Sequence, residues 1–171
     1  MNHYLALTII ADDRPGIIEK VADMVTNNGG NWLESNMSQL AGKFAGILLV
    51  NIAEEKQAAL IAALNTLNSQ GIRISLETST AKASAVGDHL GLTVVGNDRP
   101  GIVGELSSLL ARLHVNVEEL CTNCEDAPMS SEILFRATAK VSLPVSGLAR
   151  EQLQNELESL SDDLMVELED I

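Results

Sequence analysis

The sequence predicts an α+β protein made of two ferredoxin-like βαββαβ modules, each an antiparallel sheet with its helices on one face. The first observation behind this prediction is a repeat, because Asp-Arg-Pro-Gly-Ile occurs at 13–17 and again at 98–102, 85 residues later. The second is that the apolar pattern passes through strand and helix periods in the same order in both halves. We therefore predict a domain at residues 1–78, a linker at 79–87 rich in Ala, Ser and Thr, and a second domain at 88–171.

The apolar pattern of the first copy gives the order of its elements. A strand with Leu5, Leu7 and Ile9 on one face precedes an amphipathic helix that follows Pro15. Glycine after Asn28 ends that helix. Two strands, a second helix and a last strand then follow, at residues 31–40, 44–52, 54–69 and 72–76.

The second copy follows the same plan with two differences. Its strands are predicted at 90–96, 115–122, 132–141 and 164–168, with helices after Pro100 and at 146–159. Its hairpin, residues 123–130, is longer and irregular. Its first helix ends on His114 rather than on glycine, so we expect this helix to be capped differently.

The repeated pentapeptide predicts a strand-to-helix corner that can hold an anion. Proline fits the first helical position, which would make Arg14 and Arg99 the N-cap residues. Arginine has no acceptor for the free amides of the first turn. Either the preceding aspartate caps them, or the carboxylate of a ligand binds there, where glycine allows close approach to the backbone.

A repeated asparagine supplies a second pair of candidates. Asn31 and Asn116 stand at the same offset and each begins the second strand of its copy. We expect each to lie beside the corner of its copy, where the amide could bind the carboxylate or ammonium of an amino acid. The alternative is a turn residue that caps its own backbone.

Composition argues against several classes of function. Residues 1–80 carry a net charge of −3 and residues 81–171 carry −10, which together give the −13 of the chain. This charge, with one Trp, one Tyr and two Phe, disfavours direct binding of nucleic acid. No stretch is long and apolar enough to span a membrane, and no signal peptide is recognised, so we expect a cytoplasmic protein.

The remaining motifs give little support for a cofactor, a metal or catalysis. Gly96 and Gly101 have the spacing of a phosphate-binding loop, but Ile102 and Val103 stand where Lys and Ser or Thr are needed. The C-x-x-C at 121–124 lacks two further zinc ligands and lies on a strand rather than at a helix N-terminus. No set of nucleophile, base and orienting residue is recognisable, so we expect no enzyme.

The duplicated corner and the βαββαβ order of both halves resemble the ACT domain, a small amino-acid-sensing module. Two such domains without a catalytic domain are similar to the glycine cleavage system transcriptional repressor family. The resemblance implies a small amino acid as ligand, with glycine or serine as first choices, bound where two modules meet. It also implies control of transcription through a protein partner, such as a separate activator, rather than through DNA, and leaves a homodimer open. Carried onto this sequence, the implied ligand residues are Asp12, Asp13, Arg14, Pro15, Gly16, Ile17 and Asn31, and Asn97, Asp98, Arg99, Pro100, Gly101, Ile102 and Asn116.

Two alternative functions remain open at this point. The acidic second half could make the chain an adaptor that docks a basic protein and binds no small molecule. ACT domains also occur on metabolic enzymes, so a detached regulatory subunit is the other alternative.

Overall fold

The computed structural model describes residues 2–79, 87–127 and 132–171. The chain divides into two compact units, residues 1–82 and 83–171. Most of the predicted linker at 79–87 lies outside the described residues, as does part of the predicted irregular hairpin. Among the described residues, no helix combines the length and apolarity needed to cross a membrane.

The first unit is a four-stranded antiparallel sheet in the order β2-β3-β1-β4. A short 3-10 turn, Leu67–Gln70, follows its second helix. Along the chain the elements are β1 (Asn2–Asp12), α1 (Ile17–Asn27), β2 (Asn31–Leu40), β3 (Lys43–Ala53), α2 (Glu54–Thr66) and β4 (Ile72–Ser79).

The second unit repeats this topology in the order β6-β7-β5-β8. Together the two units confirm the predicted α+β class and the βαββαβ order of both halves. The elements are β5 (His89–Asn97), α3 (Ile102–Arg112), β6 (Asn116–Asp126), β7 (Ile133–Ser142), α4 (Arg150–Glu158) and β8 (Met165–Asp170).

Each unit has its own hydrophobic core on the helix side of the sheet. In the first unit, alternate residues of β1 such as Leu7 are fully buried against Val21 and Leu60 from the two helices. In the second unit Leu92 and Leu153 belong to the corresponding cluster. Alternation places these side chains on one face of the sheet, which is why the period-2 pattern predicted the strands.

The ends of α1 and α3 have the same geometry although their residues differ. The amide of Gly30 donates to the carbonyl of Val25 at 2.9 Å, and that of Val115 donates to Leu110 at 2.9 Å. The residue that turns the chain is Gly29 in the first unit, with φ of 75°, and His114 in the second, with φ of 56°. His114 therefore caps α3 in the left-handed conformation that glycine adopts more easily.

Two elements of the second unit differ from the sequence prediction. Strand β6 continues to Asp126 because it pairs with β7 along its whole length, with Asp126 opposite Ile133. Helix α4 begins at Arg150 rather than near 146, because Pro144 to Gly147 forms a turn, with φ of 87° at Gly147.

The edge strand of each unit carries an irregularity at the same place. The register of β2 against β3 shifts between Trp32 and Glu34, and that of β6 against β7 shifts between Val117 and Glu119. The repeat therefore extends to a bulge that no sequence pattern indicated.

Candidate functional site

The repeated corner is built differently from the sequence expectation. Helix α1 has Gly16 as its N-cap, with φ of 89° and ψ of 1°, and begins at Ile17. Pro15 therefore lies outside the helix and Arg14 is not its N-cap. The reason is that the chain enters the helix through a left-handed residue, a conformation that costs glycine little and other residues about 1 to 2 kcal/mol.

The second corner has the same backbone, so the same correction applies to Pro100 and Arg99. Gly101 is the N-cap of α3, with φ of 92° and ψ of −6°, and Ile102 is the first helical residue. No side chain caps either helix, so neither Asp13 nor Asp98 does so.

The free donors of the first corner follow from this geometry. The amide of Lys20 donates to the carbonyl of Gly16 at 3.1 Å and is the first amide used within the helix. The amides of Ile17, Ile18 and Glu19 precede it and have no partner inside the helix. The positive end of the helix dipole lies at these three amides, where an anion is favoured.

A hollow of about 350 Å³ opens at this end of α1. Phe44 of β3 and Ile18 contribute apolar surface, and Asp13 contributes a carboxylate for which the structure shows no hydrogen bond or ion pair. Five of the predicted ligand residues line it, and the full lining is Asp13, Arg14, Pro15, Gly16, Ile17, Ile18, Glu19 and Phe44.

Asp12, the remaining corner residue, is engaged elsewhere. It forms an ion pair with Lys43, the residue opposite it on β3. The hydrogen bond from Lys43, followed by its positive charge, lowers the pKa of the Asp12 carboxyl. Asp12 therefore links β1 to β3 at the end of the sheet and does not line the hollow.

Two bases beside the first corner, Arg14 and Lys20, both donate hydrogen bonds to Gln70, the last residue of the 3-10 turn that follows α2. Arg14 donates from Nη2 to the carbonyl of Gln70, and Lys20 donates from Nζ to the Gln70 side chain at 2.9 Å. A cation at the carbonyl end of a helix is favourable, which explains the direction that Arg14 takes. Arg14 lines the hollow, and neither base forms an ion pair with a carboxylate of the described residues.

The second corner uses its arginine in another way. Arg99 forms a forked ion pair with Glu105 of α3, with Nη1 to Oε1 at 2.7 Å and Nη2 to Oε2 at 2.5 Å. The hydrogen bond from Arg99 lowers the pKa of the Glu105 carboxyl. The guanidinium is thus held by a carboxylate of its own unit.

The contrast between the corners depends on one position of the repeat. Lys20 and Glu105 are 85 residues apart, so a base in the first copy stands where an acid stands in the second. The residue-by-residue alignment of the two copies already contained this signal. Sequence reasoning missed Lys20, Glu105, Gln70 and Phe44 because it considered only the corner residues and the asparagine that follows the first helix of each copy.

The predicted asparagines are not beside the corners of their own units. Asn31 pairs with Asn51, which pairs with Tyr4, whereas the corner follows Asp12. Eight residues of β1 separate Tyr4 from Asp12, roughly 26 Å along the strand. Asn116 lies at the far end of its sheet in the same way, opposite Ser142 and level with His89.

The two cysteines lie on opposite faces of β6. Cys121 pairs with Thr138 and Cys124 with Phe135. Three residues of strand span roughly 10 Å, beyond the Cα separation of about 7 Å that a disulfide allows. Loss of hydration, followed by the charge of Asp98 and a hydrogen bond to it, raises the pKa of the Cys124 thiol.

Across the described ranges, no group of three His, Cys, Asp or Glu side chains could hold a metal ion.

Comparison with known proteins places the chain among regulatory modules. Residues 3–77 match the model of the ACT domain. UPF0237 protein MK1213 of Methanopyrus kandleri is 38% identical over 81 residues, 47% of this chain and 87% of that protein. The glycine cleavage system transcriptional repressor of Escherichia coli is 25% identical over 131 residues, 74% of this chain and 67% of that protein.

Solved structures agree with the architecture over the full length. The crystal structure of an unknown protein from Galdieria sulphuraria has a TM-score of 0.81 and 26% identity, covering 100% of this chain and 99% of that one. A structure assigned as a glycine cleavage system transcriptional repressor has a TM-score of 0.75 and 20% identity, covering 100% and 98%. Because residues 3–77 match the ACT-domain model and the fold repeats in both units, the chain belongs to the ACT-domain family.

Proposed function

We propose that this protein senses a small amino acid and regulates the transcription of amino-acid metabolism through a protein partner. The observation that carries the proposal is the hollow of the first unit, which opens onto the uncapped N-terminus of α1. The similarity to the Escherichia coli glycine cleavage system transcriptional repressor supports the regulatory part and makes glycine the first candidate, with serine second.

The chemistry of an amino acid fits the groups at the hollow. Its carboxylate would accept hydrogen bonds from the amides of Ile17 and Ile18, assisted by the helix dipole. Gly16 has no side chain to obstruct that approach. Its ammonium would bind the carboxylate of Asp13, which lines the same hollow.

The charges at the corners favour binding in the first unit. Arg14 and Lys20 bind the uncharged Gln70 there, so their positive charges can still attract a carboxylate. In the second unit Glu105 holds Arg99 in an ion pair, so the charge of that arginine is already neutralised. We therefore propose that one amino acid binds per chain, at the first corner.

Regulation through a protein partner is the second part of the proposal. A net charge of −13 opposes contact with a phosphate backbone, because such contact requires a basic surface. A regulator of this charge would act by binding an activator protein rather than DNA.

The adaptor function remains a second candidate because of the charge of the second unit. Its Lys and Arg residues all pair with acids of the same unit, namely Arg99, Arg112, Arg136, Lys140 and Arg150 with Glu105, Glu156, Glu125, Glu118 and Asp170. Most of its acids have no such counterion, so a basic protein would be attracted to this unit whether or not an amino acid is bound.

The proposal is tested by titrating the purified full-length chain with the common amino acids. Binding is measured by calorimetry, and the change in stability is measured by thermal unfolding. We expect glycine or serine to bind with a stoichiometry of about one, and a ligand at 100 times its Kd to add about 2.7 kcal/mol of stability. Asp13→Asn and Lys20→Glu should each weaken binding about tenfold or more, because they remove the ammonium acceptor and reverse a nearby charge.

The repeat provides matched controls for both variants. Asp98→Asn and Glu105→Lys make the corresponding changes at the second corner and should leave the affinity unchanged. Valine at Gly16 is unsuitable as a test, because φ of 89° would strain any branched residue. Absence of binding by every amino acid, or an equal loss in the second-corner variants, would count against the proposal.

A further inference from the structure

We propose that Gln70 is a positioning residue that makes the amino-acid site of the first unit selective for ligands with a free carboxylate. It holds Arg14 and Lys20 through uncharged oxygen atoms, which leaves their positive charges for the ligand. The inference deepens the proposed function and rests on it, because it names the chemical group that the site requires. Every contact that it uses lies within the first unit.

The turn that ends at Gln70 is held beside the first corner by buried residues. Leu67, at the start of the turn, and Ile72, just after it, are fully buried in the core of the unit. Ile72 begins β4 and pairs with Ala11, near the end of β1. Because the two strands are antiparallel, the residues before Ile72 and the residues after Ala11 lie at the same end of the sheet. This pairing brings Gln70 next to Arg14.

Gln70 offers a different acceptor to each base. Its carbonyl is the last of the 3-10 turn, where carbonyls have no partner within the helix, and it accepts from Nη2 of Arg14. Its side-chain oxygen accepts from Nζ of Lys20 at 2.9 Å. Both acceptors are neutral, so the positive charges of the two bases are held on one residue and repel each other. A carboxylate bound nearby would offset that repulsion.

The other charges at the hollow show why the two bases must not be neutralised. Asp13 and Glu19 both line the hollow, and their carboxylates would repel the carboxylate of a ligand. Arg14 lines the hollow as well, whereas Gln70 and Lys20 do not. Gln70 therefore acts on the ligand through the guanidinium whose direction it fixes and through the charge of Lys20.

The turn of the second unit carries acids at the corresponding positions. Arg73 of β4 pairs with β1 at the repeat position where Met165 of β8 pairs with β5. Counting back along both chains, Asp162 therefore corresponds to Gln70, and a second acid, Asp163, follows it. The second unit has two consecutive acids where the first unit has an amide and a glycine.

These acids add to the neutralisation of Arg99 in the second unit. The hydrogen bond to Glu105, and then the charges of Glu105 and Asp163, raise the pKa of the Arg99 guanidinium. The positions of Lys20 and Gln70 are far apart in sequence, and in the second unit both carry an acid. Two separate elements thus preserve positive charge in the first unit and cancel it in the second.

The test compares glycine and serine with their amides, which lack the carboxylate, by NMR titration of the full-length protein. Gln70→Glu should form ion pairs with both bases while hardly changing the size of the side chain. We expect it to weaken binding of the amino acids about fivefold or more and to change binding of the amides less than about twofold. A loss of structure would instead weaken all of these ligands alike. Salt should weaken amino-acid binding less in this variant than in the unchanged protein.

Two control variants separate charge from shape. Gln70→Met removes only the side-chain acceptor and keeps the carbonyl that binds Arg14, so it should weaken amino-acid binding less than about threefold. Gln152→Glu makes the same charge change on the exposed surface of α4 in the other unit and should leave the affinity unchanged. Because Gln70 and Gln152 are exposed, all three variants should fold, which thermal unfolding verifies.

The outcomes separate this inference from the proposed function. If the unchanged protein binds glycine or serine and Gln70→Glu binds them equally well, or loses the amides to the same extent, the inference is overturned and the proposed site remains. A loss in Gln70→Met as large as that in Gln70→Glu would also overturn it, because the bases keep their charge in the methionine variant. If the unchanged protein binds neither amino acid, the proposed function fails and the inference fails with it.

Discussion

At the scale of single residues, the two copies of the corner have the same backbone but pair their basic side chains differently. Gly16 and Gly101 have almost the same dihedral angles, which the helix entry requires. Arg14 and Lys20 of the first corner bind Gln70, while Glu105 binds the arginine of the second. Identity at the two glycines therefore reflects what the helix entry needs, whereas the repeat position of Lys20 and Glu105 differs without changing the backbone.

Substitution of His114 tests whether its left-handed backbone conformation costs the second unit stability. Its φ of 56° is left-handed, and Gly29 holds the equivalent place with φ of 75°. We expect His114→Gly to raise the free energy of unfolding by about 1 kcal/mol, because glycine adopts this conformation without steric cost. Urea denaturation of the full chain measures the change.

Gly29→Ala is the reciprocal control and should lower stability by a similar amount. Its Cβ would come within 2.8 Å of the Lys56 side chain, whose flexible end can move aside, so backbone strain should dominate. A loss of stability in His114→Gly would contradict the account and would mean that the imidazole contributes more than the strain costs.

The sequence located the corner correctly but not its details. The repeat identified Asp13 to Ile17 as one structural unit, and the helix does begin there. The preference of proline for the first helical position led to the wrong N-cap, because glycine in the left-handed conformation took precedence. The asparagines were misplaced because their distance from the corner depends on strand pairing, which only the folded sheet determines.

At the scale of the elements, the sequence predicted strands and helices well where apolar residues alternate or recur. It failed at residues 123–126, whose polar side chains suggested a loop although they extend β6. Every residue of β6 is exposed, so the strand has no buried face for periodicity to detect. Its existence depends on hydrogen bonds to β7, whose own alternating pattern was recognisable.

Gly46 tests how closely β2 and β3 must approach. A Cβ at this position would lie 2.2 Å from the backbone oxygen of Asn36 and 2.6 Å from Cα of Met37. We expect Gly46→Ala to lower the free energy of unfolding by about 2 kcal/mol or more, because backbone rather than a flexible side chain must move. Chemical denaturation measures this cost.

Gly104 provides the control for that substitution. It lies in α3, and beyond the backbone of its own helix no described atom comes within 4 Å of its added Cβ, so Gly104→Ala should be neutral or raise stability by about 0.5 kcal/mol. A mild effect of Gly46→Ala would show that the edge strand can shift, and would weaken the view that this hairpin is closely packed.

At the scale of the whole molecule, the chain combines one fold used twice with an unequal distribution of charge and packing. The internal repeat predicted two modules, and each unit has a complete core of its own. The first unit has the open hollow and the large side chains along its edge strand. In the second unit Arg99 of the corner is paired with Glu105, and the edge strand β6 is acidic and exposed. This division supports the proposed amino-acid site on the first unit.

The most direct test of the amino-acid site is a titration of the ¹⁵N-labelled full-length protein with glycine and serine, followed by amide chemical shifts. We predict that the amides of Ile17, Ile18 and Glu19 shift together with saturation, because they donate to the ligand carboxylate. The amides of Ile102, Val103 and Gly104, which occupy the same positions in α3, serve as the internal reference and should not move. Shifts at the second set alone, or at neither set at saturating ligand, would contradict the account.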